Sequence, residues 1–491
     1  MARRIRWLGI VMAACFVLLF LQLNNIQVVK AHRYATNVNN PQVISARYNQ
    51  PRGAILSADG VVLARSVQAT SGAYKYERQY PEGPVFGQIT GYLSFNYLPT
   101  GVEDTYGSYL QAHNRPIKTL GDLLTTPTET DTVTLTVSSA LQQAAQSALG
   151  GRNGAIVVLD PTTGAIRAMY SNPSFDPNPL AKNNYALETQ AFTADNTPDA
   201  EGFTPATSLA YQDHFFPGST FKVVTTSAAY DYAPKLVNTP MPGFSVIPPG
   251  YFRGQTTPLQ NFGAGFCGGT IAEMLPPSCD TGYAILGTRI GAAAMLTQAD
   301  AFGFNQQPPI DLPHSQFEVS DFLQPDCYQN AQVYLAFSSI GQKCTLASPL
   351  QMAMVAAGIA DGGVVMTPHV MYEIRDSQNN LVQRYQPVPW LRATTPPTAA
   401  AVNHLMTEVV KAGTASGVGF PAQDDVAAKT GTAQVGLGNT ATTDWMIAFA
   451  PASHPTVAIA VVIPNQRLSA TGAEVAGPVM KAMIEAALAT P

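Results

Sequence analysis

The chain has 491 residues, 46% of them hydrophobic and only 12% charged, enough to bury roughly two to four domain cores rather than stay disordered. A formal charge of −5 and an isoelectric point near 5.8 exclude a nucleic-acid partner held by a clustered positive field. With 39 glycines and 38 prolines, the composition is that of a loop-rich globular protein with little solvent-facing helix.

Arg3, Arg4 and Arg6 form the one dense basic cluster. They directly precede a charge-free stretch from Trp7 to Val29, whose first part, Trp7 to Leu21, is unbroken apolar sequence. A bilayer core needs about 20 helical residues, and arginines before them hold that end in the cytoplasm. The expectation is a cytoplasmic tail at 1–6, a single transmembrane anchor at 7–29, and everything from residue 30 outside the cell membrane. A cleaved signal peptide is the main rival, but no small-x-small cleavage site follows the apolar run. Met12-Ala13-Ala14-Cys15 loosely resembles a lipidation site, yet the sequence stays apolar through Phe16 to Leu21, where a lipoprotein would turn polar.

From Ala31 to about Gly150, short β-like runs alternate with turns. Gly53-Ala54-Ile55-Leu56 and Val61-Val62-Leu63 flank Ala58-Asp59-Gly60, a hairpin signal. The segment shows no cluster of titratable residues that suggests chemistry and reads as a non-catalytic module. Thr132 to Val137 alternates like a strand, and Ser138 is placed to cap a helix-like run, Ala140 to Leu149. Gly154 to Leu159, a turn at Asp160-Pro161-Thr162-Thr163-Gly164, and Ala165 to Tyr170 open a new sheet, so the main domain boundary is expected near residue 152, separating 30–151 from 152–491. Stretches 186–214 and 236–270 are polar and proline-rich and read as loops. Asp425 to Lys429, Trp445 to Ala450 and Thr456 to Ile463 are three consecutive strand candidates, followed by a helical run from Gly472 to Ala489. The pattern is α+β and multi-domain, with a central antiparallel sheet flanked by helices.

Cys15 falls in the predicted anchor, leaving Cys267, Cys279, Cys327 and Cys344 in the exported part. In an oxidising compartment Cys267–Cys279 and Cys327–Cys344 are the economical pairings, although four cysteines permit three connectivities and buried free thiols are the alternative. No Cys-x-x-Cys occurs and none of the seven histidines lies at ligand spacing from another, so neither a metal nor a cofactor is expected.

The strongest feature is Phe216-Pro217-Gly218-Ser219-Thr220-Phe221-Lys222, followed by a helical run to Ala229. Pro-Gly puts Ser219 in the first helical turn, where free N–H groups and the dipole favour negative charge near its oxygen. Lys222, three residues on, shares that helix face and can reach the hydroxyl. A serine needs a base to become a nucleophile, and a lysine serves when burial or nearby positive charge lowers its pKa. A capping serine beside a solvated lysine is the bland alternative, but of ten lysines only Lys222 has a serine three residues before it. Two further motifs follow in order: Ser278-Cys279-Asp280, weak by itself, and Lys429-Thr430-Gly431-Thr432, which begins as a strand. Gly431 would let a substrate backbone approach closely.

This trio, in this order, resembles the serine penicillin-recognising family of penicillin-binding proteins and serine β-lactamases. Supporting phrases are Leu159-Asp160-Pro161, Ser339-Ile340-Gly341-Gln342 and Ala448-Phe449-Ala450-Pro451, while Arg52-Gly53-Ala54-Ile55-Leu56 with Asp59-Gly60 and Leu63-Ala64 resembles the start of the pedestal, the dimerisation-like domain of class B penicillin-binding proteins. In plan the chain is most similar to the short actinobacterial cell-division members called penicillin-binding protein A. The resemblance implies a peptidoglycan D,D-transpeptidase, open to covalent inhibition by β-lactams. Ser219 would attack the penultimate D-alanine of a stem peptide, Lys222 would take its proton, and Ser278 would relay protons to the leaving amine. Lys429 and Thr430 would hold the terminal carboxylate, and the backbone N–H groups of Ser219 and Thr432 would form the oxyanion hole. It further implies a membrane glycosyltransferase and division-complex proteins as partners. One position departs from the family: Asp280 stands where most members have asparagine, and an ionised carboxylate there would favour the protonated form of Lys222. The alternatives are a D,D-carboxypeptidase or β-lactamase, in which water replaces the acceptor amine, or a division scaffold with weakened activity.

Overall fold

The computed structural model describes residues 2–30, 48–70, 74–114, 128–313, 317–324, 332–435 and 440–490. Helix α1 (Ala2–Asn24) continues through a π-turn at Asn25–Val29. Over Arg3–Val29 it is apolar and not covered by the rest of the chain, so it is a helix long and apolar enough to cross a membrane.

The pedestal is built on strands β1 (Ile55–Leu56), β2 (Val62–Gln68), β3 (Tyr76–Gln79) and β4 (Thr132–Leu135). The Asp59-Gly60 turn joins β1 to β2, and Gly60 takes the positive φ of 80° that such a turn needs. Helix α2 (Gly83–Thr90) follows β3, and α3 (Ser139–Leu149) starts where Ser138 Oγ accepts from Leu141 N at 3.4 Å. The fold does bring titratable residues together here, as ion pairs. Arg52, Arg78 and Glu103, scattered over 51 positions, meet in the interior with Glu103 Oε2 and Oε1 at 2.5 and 2.6 Å from the two guanidinium groups.

Strands β5 (Gly154–Leu159) and β6 (Ile166–Asn172) form the expected hairpin. The stretch at 186–214, read as loop, instead carries helix α4 (Tyr185–Asp195), capped by Asn184, whose side chain accepts from Ala186 N and Leu187 N. Helices α5 (Lys222–Tyr232), α6 (Asp280–Ile290) and α7 (Pro349–Ala360) lie between β6 and the hairpin β7 (Met371–Arg375) and β8 (Leu381–Arg384). That hairpin returns across the expected boundary to complete the pedestal sheet, whose order is β8-β7-β4-β1-β2-β3. β1 and β4 are parallel and the other pairs antiparallel, so the sheet is mixed.

Strands β9 (Ala427–Val435), β10 (Ala441–Ala450) and β11 (Val457–Arg467) then join β5 and β6 in one antiparallel sheet of order β9-β10-β11-β5-β6. The final helix α8 is Gly472–Ala489. Both faces of this sheet are covered, which is why its strands read as continuous apolar runs rather than alternating ones. Ala155, Val157, Leu159, Ala460 and Val462 face α7, whereas Ile156, Val158, Ile459 and Val461 face α3 and α8. Strand β9 stands at the sheet edge, so the N–H groups on its outer side are open to a further strand.

Candidate active site

Ser219 is set by glycine geometry. Gly218 has φ 53° and donates its N–H to Gly341 O at 2.9 Å. A Cβ on Gly341, itself at φ 77°, would fall 2.0 Å from the Gly218 carbonyl oxygen, and one on Gly218 would meet the Thr432 carbonyl at 3.0 Å. The 3-10 turn Gly218–Phe221 is thus wedged between Gly341 and β9, and α5 continues from it at Lys222. Ser219 keeps 9% of its surface exposed, while Lys222 and Lys429 are completely buried.

The three motifs converge. Lys222 Nζ donates to Asp280 Oδ1 and to the Ser278 carbonyl, both at 2.7 Å, and to Ser278 Oγ at 3.3 Å. Lys429 Nζ, from β9, donates to the same Ser278 Oγ at 2.8 Å and to Thr430 O at 2.9 Å. In place of a direct Ser219–Lys222 hydrogen bond, Ser219 Oγ donates to Asp280 Oδ1 at 3.3 Å. One carboxylate oxygen therefore joins the Ser219 hydroxyl and the Lys222 amine. Asp280 is the first residue of α6, where the helix dipole favours negative charge, and its Oδ2 accepts from Phe262 N at 3.3 Å.

Desolvation dominates the electrostatics of both lysines. Burial lowers Lys222 below the ordinary lysine range even though Asp280 pulls the other way. Asp280 does favour the ammonium form, as its place in the sequence implies, but burial outweighs it. Burial, and then the charge of Lys222, pushes Lys429 well below the ordinary range against a smaller opposing pull from Asp280.

Cys267 and Cys279 are joined in a disulfide, tying the segment after Phe262 to the residue between Ser278 and Asp280. The pairing expected for Cys327 lies outside the described residues; Cys344 is buried. The stretch 236–270, read as loop, contains short strands at Met241–Phe244 and Cys267–Gly269, paired with each other. Gly431 has a different reason from the one its sequence suggests. The close approach is made by this chain itself, since a Cβ there would lie 2.8 Å from Pro217 O and 2.9 Å from Thr220 Cγ2. Thr430 Oγ1 bonds Thr414 Oγ1 at 2.6 Å, and Thr432 Oγ1 accepts from Gly472 N at 3.0 Å.

The cleft above this network has a volume of about 290 Å³ and is lined by Ser219, Ser278, Asp280, Thr430, Thr432 and the rings of Phe262 and Phe266, among others. Phe262, Thr414 and Gly472 escaped the sequence reading because nothing in their local sequence marks them; only the fold brings them to the motifs. Among the described residues no group of histidine, cysteine, aspartate and glutamate could hold a metal ion. What the arrangement offers is a serine beside two desolvated amines, with an edge strand to align a substrate.

Comparison with known proteins agrees with this geometry. Residues 154–485 match the penicillin binding protein transpeptidase domain, and residues 52–132 match the penicillin binding protein A dimerisation domain. The chain is 35% identical to the peptidoglycan D,D-transpeptidase PbpA of Mycobacterium tuberculosis over 99% of its own length and 98% of that protein's. It is 33% identical, with the same coverage, to PbpA of Mycolicibacterium smegmatis. The structure of penicillin-binding protein A from M. tuberculosis as a ceftriaxone acyl-enzyme superposes with a TM-score of 0.81 at 34% identity, covering 90% of this chain and 99% of that one.

Proposed function

This chain belongs to the penicillin-binding protein transpeptidase family, and from that premise we propose that it is a peptidoglycan D,D-transpeptidase whose nucleophile is Ser219. The observation that carries the assignment is the single network in which Ser219, Lys222, Ser278, Asp280 and Lys429 are joined at 2.7–3.3 Å at the floor of a cleft.

Ser219 Oγ attacks the carbonyl carbon of the penultimate D-alanine as its proton moves along Asp280 Oδ1 toward Lys222 Nζ. Loss of a proton from Lys222 before substrate attack is favoured by its burial. The tetrahedral oxyanion forms beside the backbone N–H groups of Ser219 and Thr432, each such donor contributing about 100- to 1000-fold. Ser278 Oγ accepts from both lysines, so its own proton is free to go to the leaving amine, and Lys222 replaces it with the proton taken from Ser219. Terminal D-alanine departs, an ester remains on Ser219, and the amine of a second stem peptide attacks that ester to form the cross-link and restore the serine. Lys429, whose charged form is disfavoured by burial, gains a partner when the substrate carboxylate arrives at Thr430. Arg3, Arg4 and Arg6 at the start of α1 support a single-pass anchor with the catalytic region outside the cell membrane. Residues 30–151 are too few for a glycosyltransferase domain, so glycan polymerisation falls to a separate membrane partner.

A membrane-impermeant penicillin conjugate added to intact cells tests both halves of this reading. Wild-type protein should gain the mass of one adduct, retained for hours, and Ser219→Ala should gain none. Folded wild type that takes up no penicillin even after purification would overturn the enzymatic reading. Labelling that requires lysis would overturn the topology, and adduct loss within seconds would reassign the protein as a β-lactamase.

A further inference from the structure

A second cavity, of about 400 Å³, lies between pedestal helix α2 and helix α4 and shares no lining residue with the Ser219 cleft. Tyr92, Phe175, Phe192 and Tyr211 contribute to its walls, and Asp195 and Asn196 close its α4 end. Tyr92 and Phe175 meet edge to face with centroids 6.1 Å apart. Phe192 and Asp195, three residues apart on α4, share a helix face.

Asp195 is oddly placed for a carboxylate. Its Oδ2 is buried with no hydrogen-bond partner, and buried polar atoms left in that state are rare enough to need a cause. As the last residue of α4 it stands at the negative end of the helix dipole. Burial and the neighbouring Asp176 push its carboxyl up to about 6. Among the described residues no lysine, arginine or histidine pairs with it. Asp195 and Tyr92 line the same cavity, and burial, then Asp195, pushes the Tyr92 hydroxyl up to about 12.

One ligand chemistry answers all of these features. We propose that this cavity is a binding site for an alkylammonium group, seated against the aromatic rings and paired with Asp195. The ring faces supply cation–π attraction, strongest when the cation is desolvated. The carboxylate supplies the counter-charge, and the volume suits a small ligand or the end of one side chain. The site is independent of the transpeptidase assignment, because none of its residues touches the catalytic network.

The test uses the full-length protein in neutral detergent, with choline and its uncharged isostere 3,3-dimethylbutan-1-ol as probes, followed by ligand-observed NMR. Choline should bind and the isostere should bind at least tenfold more weakly. Asp195→Asn should weaken choline roughly tenfold, and Phe192→Leu, which keeps the volume and removes the ring, should weaken it several-fold, with penicillin acylation of Ser219 unchanged in both. Nα-acetyl-L-lysine amide distinguishes the source: tighter binding than choline assigns the ammonium to a peptide side chain, weaker binding to a free small cation. Equal affinity for choline and the isostere, or a folded Asp195→Asn protein that binds choline like wild type, would overturn the proposal. So would loss of choline binding on acylation of Ser219, which would place the probe in the catalytic cleft.

Discussion

Two buried clusters in this molecule have the same charge formula, two cations around one carboxylate, and opposite purposes. In the pedestal, Glu103 is completely enclosed and held by Arg52 and Arg78; Arg52 Nη2 and Arg78 Nη1 also tie down the backbone at Glu103 O and Gly53 O, each at 2.7 Å. Burial alone would push Glu103 up, but the arginines keep it below the ordinary glutamate range. In the catalytic region, Asp280 retains 17% side-chain exposure, its cations are Lys222 and Lys429, and both amines share Ser278 Oγ at the edge of a cleft. Arginine stays charged and holds its partner in a fixed fork; lysine, once desolvated, gives up its proton readily. The same stoichiometry is a clamp in one place and a proton store in the other.

Exchanging the cation types should break this contrast most visibly. Lys222→Arg keeps the charge beside Asp280 but removes the proton acceptor, so the rate of acylation by penicillin should fall about 100- to 10,000-fold with the melting temperature little changed. A rate within threefold of wild type would mean that Lys222 is not the base. The complementary change, Glu103→Gln, leaves two buried guanidinium groups unpaired and should cost about 3–5 kcal/mol of stability, read by denaturant unfolding, while the folded fraction acylates normally. A loss of rate without a loss of stability would make the pedestal cluster more than a clamp.

The subtlest change is Asp280→Asn. Asp280 raises the pKa of Lys222 against the larger lowering by burial. Acylation of wild type should therefore increase with pH as Lys222 deprotonates, and removing the carboxylate should move that rise to lower pH. Lowering the amine's pKa by one, worth about 1.4 kcal/mol, multiplies the reactive amine about tenfold at any pH below the new value. Stopped-flow acylation from pH 6 to 9 reads this directly; superimposable profiles for the two proteins would show that Asp280 does not govern the amine.

Some of this was legible along the chain because its cause is local. Helix α1 follows from an apolar run behind three arginines, the hairpin β5–β6 from Asp160–Gly164, and the start of α3 from Ser138. The position of Ser219 follows from Pro217-Gly218 and its partnership with Lys222 from spacing. Helix α4 was missed because a polar, weakly amphipathic segment gives little periodic signal; Asn184 was its one readable mark. The long 236–270 stretch hid its short strands for a related reason, since strands of four and three residues have too little period to detect.

By itself the sequence determined which residue types and spacings can do acyl transfer, and it named Ser219, both lysines and Ser278 as the candidates. Only the tertiary structure decided how they are wired. That Ser219 bonds Asp280 rather than Lys222, that both amines converge on one hydroxyl, and that desolvation outweighs Asp280 at Lys222 are consequences of packing α5, α6 and β9 together. The Arg52–Arg78–Glu103 clamp and the unpaired Asp195 cavity are likewise invisible in the chain order. Burial and through-space charge depend on distances between segments tens to hundreds of residues apart, and no local pattern encodes those distances.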